Sequence, residues 1–297
     1  MIQVGRAERV IVIAGDSASS DNLMPWLGNG FRILGAATIC PDAQQAAKPF
    51  NQCRDGMILG SGGIGMILES EDGARRRHLL SMALPPVPDK PVPADSPFRC
   101  RLLGTLVSNS AFHGAAMDRK HIAEEMERFV VSVEKEQGIS REEIAKHGVY
   151  FSHETGTHAS PSSSCAANEV TSVRDSIFER MPDSDFFPSS LPPSLFIRSL
   201  SLQIYGLRQV FGEHLKDLLI LNTKGFTGHP MGVSFEDVVA CEVLTSGRVP
   251  PVANFSSVDP NLGSDLKISK GGVYPCKYAM RFAAGFGSQI ALALYGI

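Results

Sequence analysis

Apolar residues recur with two different periods along this chain, and the elements that these periods predict alternate. Short, nearly continuous apolar runs at 9–15, 101–107, 149–151 and 218–222 have the length and residue types of strands. Between 118 and 137 the apolar residues recur at helical spacing, which predicts an amphipathic helix. Strands that alternate with helices in this way predict an α/β fold with a mixed sheet.

The amino-terminal region is predicted to contribute two strands and a helix. From Val10 to Ala14 the residues are continuously apolar, the pattern of a strand that is buried on both faces. A glycine-rich apolar segment at 56–69 predicts a second strand, because glycine allows another backbone to approach closely. A short basic helix is predicted at 70–80.

The carboxyl-terminal region carries clearer start and stop signals. Ser140 followed by Glu143 is a capping box and predicts the start of a helix. Further helices are predicted at 199–211 and, beginning with a glycine, at 228–244. The tail at 278–295 predicts a hairpin of two strands.

Proline content divides the chain. The segment 85–97 carries six prolines in thirteen residues, which predicts an exposed connector. We therefore expect residues 1–84 to form one unit, 85–100 to connect it, and 101–297 to form a second unit.

Composition narrows the classes of function. A net charge of −3 over 297 residues argues against a surface that coats nucleic acid, which would carry a strong positive excess. The six cysteines are scattered without a Cys-x-x-Cys pair, which predicts a reducing, cytoplasmic location and no metal site. No apolar run approaches the roughly 18 residues of a membrane-spanning helix, so no membrane span is predicted.

Three glycine-flanked polar motifs follow predicted strands, where open α/β sheets place their sites. The first is His-Glu-Thr-Gly-Thr, in which His153 is followed by Thr155 and Thr157. A histidine fixed at the end of a strand can donate a hydrogen bond to a developing negative charge. The alternative is a histidine that satisfies backbone groups of its own loop.

The second motif places Lys224 five residues before His229 on a glycine-rich loop. The loop leads into a predicted helix, whose amino end favours negative charge. A lysine and a histidine that converge there could bind and polarise a carbonyl or carboxylate. The alternative is a surface lysine beside a packed histidine.

The third motif is Phe286 between Gly285 and Gly287. Glycine neighbours impose little steric constraint, so the ring can swing, and this mobility suits a gate. The alternative is an ordinary core phenylalanine.

The order of these three motifs resembles that of the β-ketoacyl synthases of the thiolase-like superfamily. A glycine-rich stretch at 60–66 and a Val-Pro-Pro-Val-Ala-Asn-Phe run at 249–255 add to the resemblance, which covers almost the whole chain. The sequence around His229 is more similar to the ketosynthase modules of multidomain polyketide or fatty-acid synthases than to small stand-alone enzymes. The resemblance implies a layered αβαβα fold that is incomplete at its amino terminus, with the end of the first half and a complete second half.

The resemblance also implies a mechanism. A cysteine carries the acyl group, while His153 and His229 hydrogen-bond the thioester oxygen of a malonyl group that loses carbon dioxide. Lys224 would hold His229 and contribute positive potential. No metal or redox cofactor is implied, since the substrates are carried on the phosphopantetheine of an acyl carrier protein, and such domains form homodimers. The residues implied to form the gate and substrate pocket are Phe286, Gly285, Gly287, Thr155 and Thr157.

The nucleophilic cysteine of the family lies in a turn upstream of the strand that corresponds to 9–15 here. Cys165 follows the His153 motif and is not expected to serve as the nucleophile, because a catalytic cysteine needs a helix amino end and electropositive surroundings. We therefore expect these residues to be a truncated product or a fragment of a longer synthase, without the group that forms the acyl-enzyme.

Smaller departures and two alternatives stay open. Ser61 stands where the family commonly has a glutamate, and Glu236 and Asp237 come slightly early for its acidic position. The chain could instead be a non-catalytic ketosynthase-like partner that binds a synthase or an acyl carrier. A different thiolase-like enzyme would usually replace one of the two histidines.

Overall fold

The fold is described here from a computed structural model that covers residues 1–83, 98–112, 117–157 and 202–297. Most of the predicted connector at 85–100 lies outside the described residues, and so does Cys165.

A six-stranded mixed sheet forms the centre of the molecule, as the alternation of strands and helices predicts. Its strands are β3 (Arg101–Asn109), β4 (Gly148–Phe151), β5 (Leu219–Leu221), β7 (Lys267–Ile268), β9 (Tyr278–Gly285) and β10 (Gln289–Gly296). Their order across the sheet is β3-β10-β9-β4-β5-β7. The first three strands in this order pair antiparallel, whereas β9, β4, β5 and β7 run parallel.

Helices with clear capping signals pack on this sheet. Helix α3 (Arg119–Gln137) begins after Asp118, whose carboxylate accepts hydrogen bonds from two backbone amides, and ends at a left-handed Gly138. The Ser140 hydroxyl caps α4 (Arg141–His147), as the capping box predicts. Every residue of β4 and β5 is buried beneath these layers. The other carboxyl-terminal elements are α5 (Leu202–Phe211), α6 (Lys224–Thr227), α7 (Phe235–Ser246), β6 (Arg248–Pro251) and β8 (Lys270–Val273).

The predicted burial of the first strand is wrong. Strand β1 (Arg9–Asp16) pairs only with β2 (Gly62–Glu69), in a separate two-stranded antiparallel sheet. Ile13 is 79% exposed, because within the described ranges no layer covers both faces of this ribbon. In the chain, helix α1 (Met24–Ile33) lies between these two strands and helix α2 (Glu71–Ala83) follows β2.

The predicted helix at 228–244 also begins later than expected, at Phe235. The backbone of His229 instead forms a bridge with Leu59: its N–H donates to Ile58 O (2.7 Å), and its carbonyl accepts from Gly60 N (3.3 Å). This long-range pairing keeps the segment extended. Among the helices of the described ranges, none is long and apolar enough to cross a membrane.

Candidate active site

The candidate site lies where β4 and β5 end side by side. The two strands are parallel neighbours, so their carboxyl ends meet at one edge of the sheet. His153 follows the end of β4 by two residues, and Lys224 follows the end of β5 by three. Asn222 joins the two strand ends: its side-chain amide donates to Glu154 O (2.6 Å), and its side-chain oxygen accepts from Lys224 N (2.9 Å).

The structure brings the two predicted histidines together. The ring centroids of His153 and His229 are 5.3 Å apart, with the ring planes at 81° in an edge-on arrangement. His153 is held by the loop after β4, and His229 by its backbone bridge to Leu59. Two imidazoles from separate loops therefore border a common point.

Both imidazoles are neutral near pH 7. Burial, followed by the nearby charge of Lys224, holds the pKa of His153 well below its usual range. The same two causes lower the pKa of His229 to about 3. Each ring therefore carries one N–H that can donate a hydrogen bond, and neither carries a positive charge.

Lys224 forms a buried ion pair with Glu236. Their side chains are 5% and 4% exposed, and the Lys224 ammonium donates directly to the Glu236 carboxylate. Burial alone would raise the pKa of Glu236, but the charges of Lys224 and Arg281 outweigh it and lower this pKa to about 2. The sequence flags Glu236 only as an acidic residue in an unusual position, whereas the structure makes it the partner of Lys224.

Arg281 belongs to the same cluster and is absent from the sequence-based site. It lies on β9 in register with Phe151, and it is 4% exposed. Its guanidinium donates to the Ser234 hydroxyl (3.1 and 3.2 Å) and lies 3.4 Å from Glu236 Oε2. In the sequence, Arg281 stands out as the single charged residue of the otherwise apolar strand Tyr278–Gly285.

Asp16 is a second residue that the sequence analysis misses. It ends β1, and its Oδ2 accepts hydrogen bonds from the amides of Met231 (2.6 Å) and Gly232 (2.9 Å). The carboxylate therefore anchors the loop that follows His229. Its position at the end of a strand and before a polar loop is typical of a site residue. The sequence does not reveal its partners, because the contact joins segments that are distant in the chain.

Thr155 and Thr157 are both buried, and their hydroxyl oxygens are 3.3 Å apart. The turn between them depends on Gly156, which has a left-handed φ of 73° and bonds the Glu154 carboxylate through its amide. The loop thus presents two neighbouring hydroxyls close to His153 in the chain.

Phe286 lies in the turn between β9 and β10, flanked by Gly285 and by Gly287 with its left-handed φ of 79°. It is 57% exposed, so it is not a core residue. Its ring stacks on Phe31 of α1, with centroids 6.2 Å apart and planes at 14°. The gating role stays a prediction.

Other polar residues and cysteines have side-chain partners from distant parts of the chain. The Ser61 hydroxyl bonds that of Ser19 (2.6 Å), and the Tyr295 hydroxyl donates to Asp237 (3.1 Å). The Sγ atoms of Cys100 and Cys241 are 3.1 Å apart, with the cysteines reduced.

Comparison with known proteins places this geometry in context. No family model matches the chain. The 3-oxoacyl-(acyl-carrier-protein) synthase 2 of Vibrio cholerae is 24% identical over 294 residues, which cover 97% of this chain and 55% of that protein. The chain thus spans about half the length of the curated relatives it matches.

Solved structures agree on the fold. A β-ketoacyl synthase from Burkholderia phymatum matches with a TM-score of 0.69 and 15% identity, over 99% of this chain and 56% of that one. A type II polyketide ketosynthase in complex with its acyl-carrier protein matches with a TM-score of 0.68 and 20% identity, over 99% and 57%. The homologues and structural neighbours of this chain are therefore β-ketoacyl synthases, and the chain has their thiolase-like fold over about half their length.

Proposed function

We propose that this chain is the histidine-bearing part of a β-ketoacyl-acyl-carrier-protein synthase of fatty-acid or polyketide biosynthesis. The observation that carries the proposal is the buried pair of neutral imidazoles, His153 and His229, beside the ion-paired Lys224. Such a pair is suited to an oxygen that gains negative charge during the reaction.

The reaction is a decarboxylative Claisen condensation. The bond between the carboxylate carbon and the α-carbon of a malonyl thioester breaks, carbon dioxide leaves, and the electron pair passes to the thioester oxygen as an enolate. The N–H groups of His153 and His229 donate to this oxygen. The α-carbon then attacks an acyl thioester on a cysteine, forming the β-ketoacyl product and releasing the thiolate.

Two features support the binding of a substrate at this site. His229 Nδ1 is buried and has no hydrogen-bond partner in the described part of the chain, and buried polar atoms are normally satisfied. The adjacent hydroxyls of Thr155 and Thr157 could bind the pantetheine arm. The site as proposed needs no metal or redox cofactor, because the thioester itself delocalises the charge.

The proposed partners follow from the same assignment. Substrates would arrive on the phosphopantetheine of an acyl carrier protein or domain, and one structural neighbour is a ketosynthase in complex with its carrier protein. A cytoplasmic homodimer is the proposed state of the protein, with Phe286 gating the entry of the malonyl group.

Decarboxylation tests this function directly, because it does not require the acyl-carrying cysteine. The chain is incubated with malonyl-CoA and malonyl-carrier protein, and the loss of carbon dioxide is followed by mass spectrometry of the thioester. We expect His153→Ala and His229→Ala each to slow turnover by about 100-fold or more. His121→Ala is the matched control, since its ring contacts Ser108 (3.2 Å) away from the site. No turnover by the unmodified chain would refute the proposal.

The non-catalytic partner role is the second candidate, favoured by the exposed apolar ribbon. Ile11, Ile13 and Ile67 are each more than half exposed on β1 and β2, as in a surface that another protein covers. A thiol-specific acyl-loading assay on this chain and on an amino-terminally extended version separates the roles. An enzyme part loads only when extended, a binder loads in neither form, and loading at Cys165 would overturn the expected upstream nucleophile.

A further inference from the structure

The charges of the ion-pair cluster beside the two histidines do not cancel. Lys224 pairs with Glu236, so the positive charge that the sequence assigns to Lys224 is compensated by a buried carboxylate. Arg281 adds a second positive charge to the same ion-pair cluster. The connected cluster of Lys224, Glu236 and Arg281 therefore carries one net positive charge, and Arg281 supplies that charge.

Arg281 is fixed in a position from which it can act on the site. Its backbone is paired with Phe151 of β4, two residues before His153. Its side chain reaches the start of α7, where Nε and Nη2 donate to Ser234 and Nη2 approaches Glu236. Nη1 is buried and has no hydrogen-bond partner among the described residues, so the cation is not fully satisfied there.

Two further carboxylates close to the histidines hydrogen-bond to loop amides. The Asp16 carboxylate accepts from the amides of Met231 and Gly232, and the Glu154 carboxylate accepts from the amide of Gly156 (3.0 Å). These carboxylates hold loops in place and do not pair with the guanidinium.

We propose that Arg281 is a positioning residue that supplies the net positive charge of the cluster and thereby stabilises the oxyanion between His153 and His229. The proposal rests on the proposed function of the same site. Arg281 acts through Glu236 and the surrounding field and does not touch the substrate. Water is excluded from this cluster, so a fixed charge stabilises a developing anion more strongly than it would in solvent.

The electrostatics of the imidazoles support this role. Burial and the charge of Lys224 are the largest causes of the lowered pKa of His153 and of His229, and Arg281 adds a smaller contribution in the same direction. At His229 the carboxylates of Glu236 and Asp16 act in the opposite direction. A positive neighbour keeps both rings neutral, so each keeps a lone pair and a single N–H, and it favours negative charge on an oxygen that they bind.

Four variants separate charge from shape. Arg281→Lys keeps the positive charge but loses the planar guanidinium with its several N–H donors. Arg281→Gln keeps hydrogen bonding but loses the charge, and Arg281→Met loses the charge and the hydrogen bonds. The double variant Arg281→Met with Glu236→Gln returns the cluster to one net positive charge, now on Lys224. Arg141→Met is the matched control, because Arg141 also binds carboxylates, those of Glu127 and Glu134, on the helical layer.

The readout is kcat and KM for malonyl-CoA decarboxylation, with circular dichroism to verify folding. We expect Arg281→Met and Arg281→Gln to lower kcat about 10-fold with KM changed by less than about 3-fold, the size of one lost electrostatic contact in the transition state. Arg281→Lys should keep kcat within about 3-fold, the double variant should recover most of the loss, and Arg141→Met should leave kcat unchanged.

A purely structural role predicts a different pattern. If Arg281→Lys is as slow as Arg281→Met, or if Glu236→Gln deepens the loss, Arg281 does not act through its charge. Absence of turnover in the unmodified chain refutes the proposed function, and a second readout then tests Arg281 alone. The carbonyl stretch of bound 13C-labelled acetyl-CoA should shift to lower frequency in the unmodified chain and less so in Arg281→Met. An identical stretch in both, or no bound band, overturns the inference.

Discussion

Replacing Lys224 by methionine tests whether the buried ion pair supports both the fold and the site. The substitution keeps the length of the side chain but leaves the Glu236 carboxylate, 4% exposed, with Arg281 as its remaining cationic neighbour. A buried carboxylate that loses a partner is destabilising, because desolvation is no longer offset by the attraction.

The magnitude follows from the pKa of Glu236. Folding lowers this pKa to about 2 from an ordinary 4.5. At 1.36 kcal/mol for each pKa unit, the difference corresponds to about 3 kcal/mol of stability at neutral pH. Arg281 still provides part of this stabilisation in the variant, so we expect Lys224→Met to lower the free energy of unfolding by about 2–3 kcal/mol. Adding Glu236→Gln should recover only part of the loss, because it removes the buried carboxylate but leaves Arg281 without its carboxylate partner.

The sign of the pH dependence provides a second check. Between pH 4.5 and 2 the unfolded state binds a proton that folded Glu236 does not, so this stabilisation is present above pH 4.5 and is lost as the pH falls toward 2. The difference between the unmodified chain and Lys224→Met should therefore shrink on acidification.

Urea unfolding followed by circular dichroism at pH 7 and at pH 3.5 measures both effects. Lys146→Met is the control, because Lys146 pairs with Glu142 in an exposed salt bridge, and its loss should produce no measurable change. Equal stability of Lys224→Met and the unmodified chain at pH 7 would show that the buried ion pair does not stabilise the fold.

Further predictions concern the loops and the histidines. The pKa of His229 is lowered to about 3, so stability should fall as the pH drops below about 6.5. His229→Asn should reduce the slope of unfolding free energy against pH by up to about 1.4 kcal/mol per unit. Asp16→Ala removes the acceptor for two loop amides and should slow decarboxylation about 10-fold while lowering stability by about 1–2 kcal/mol in urea. Phe286→Ala should change stability by less than about 1 kcal/mol because the ring is exposed, whereas Phe151→Ala should cost about 3–5 kcal/mol in the same titration.

The predictable part of the fold is the part that local physics determines. The short apolar runs at β4 and β5 are too short for helices and have the length of strands buried on both faces, so the polar residues after them follow strand ends. The sequence thus places His153 and Lys224 after strand ends, whereas their convergence on one site is what the family resemblance implies. The Asp118 and Ser140 caps are equally local, and the structure has both.

The features of the structure that the sequence does not predict depend on contacts between distant segments. The apolar run of β1 does not say what covers it, and the described structure leaves it in an exposed ribbon. The segment after His229 has a helical composition, but its pairing with Leu59 keeps it extended. Arg281 is visible in the sequence as a charge in an apolar strand, whereas its partner Glu236 becomes visible only when β9 and α7 pack together.

A crystal structure with a malonyl-thioester analogue that cannot lose carbon dioxide would show whether the two imidazoles bind one oxygen. We expect the thioester oxygen to lie about 2.7–3.1 Å from a ring nitrogen of His153 and of His229, with Lys224 still hydrogen-bonded to Glu236. An analogue that occupies another cavity, or whose thioester oxygen is turned away from both rings, would contradict it.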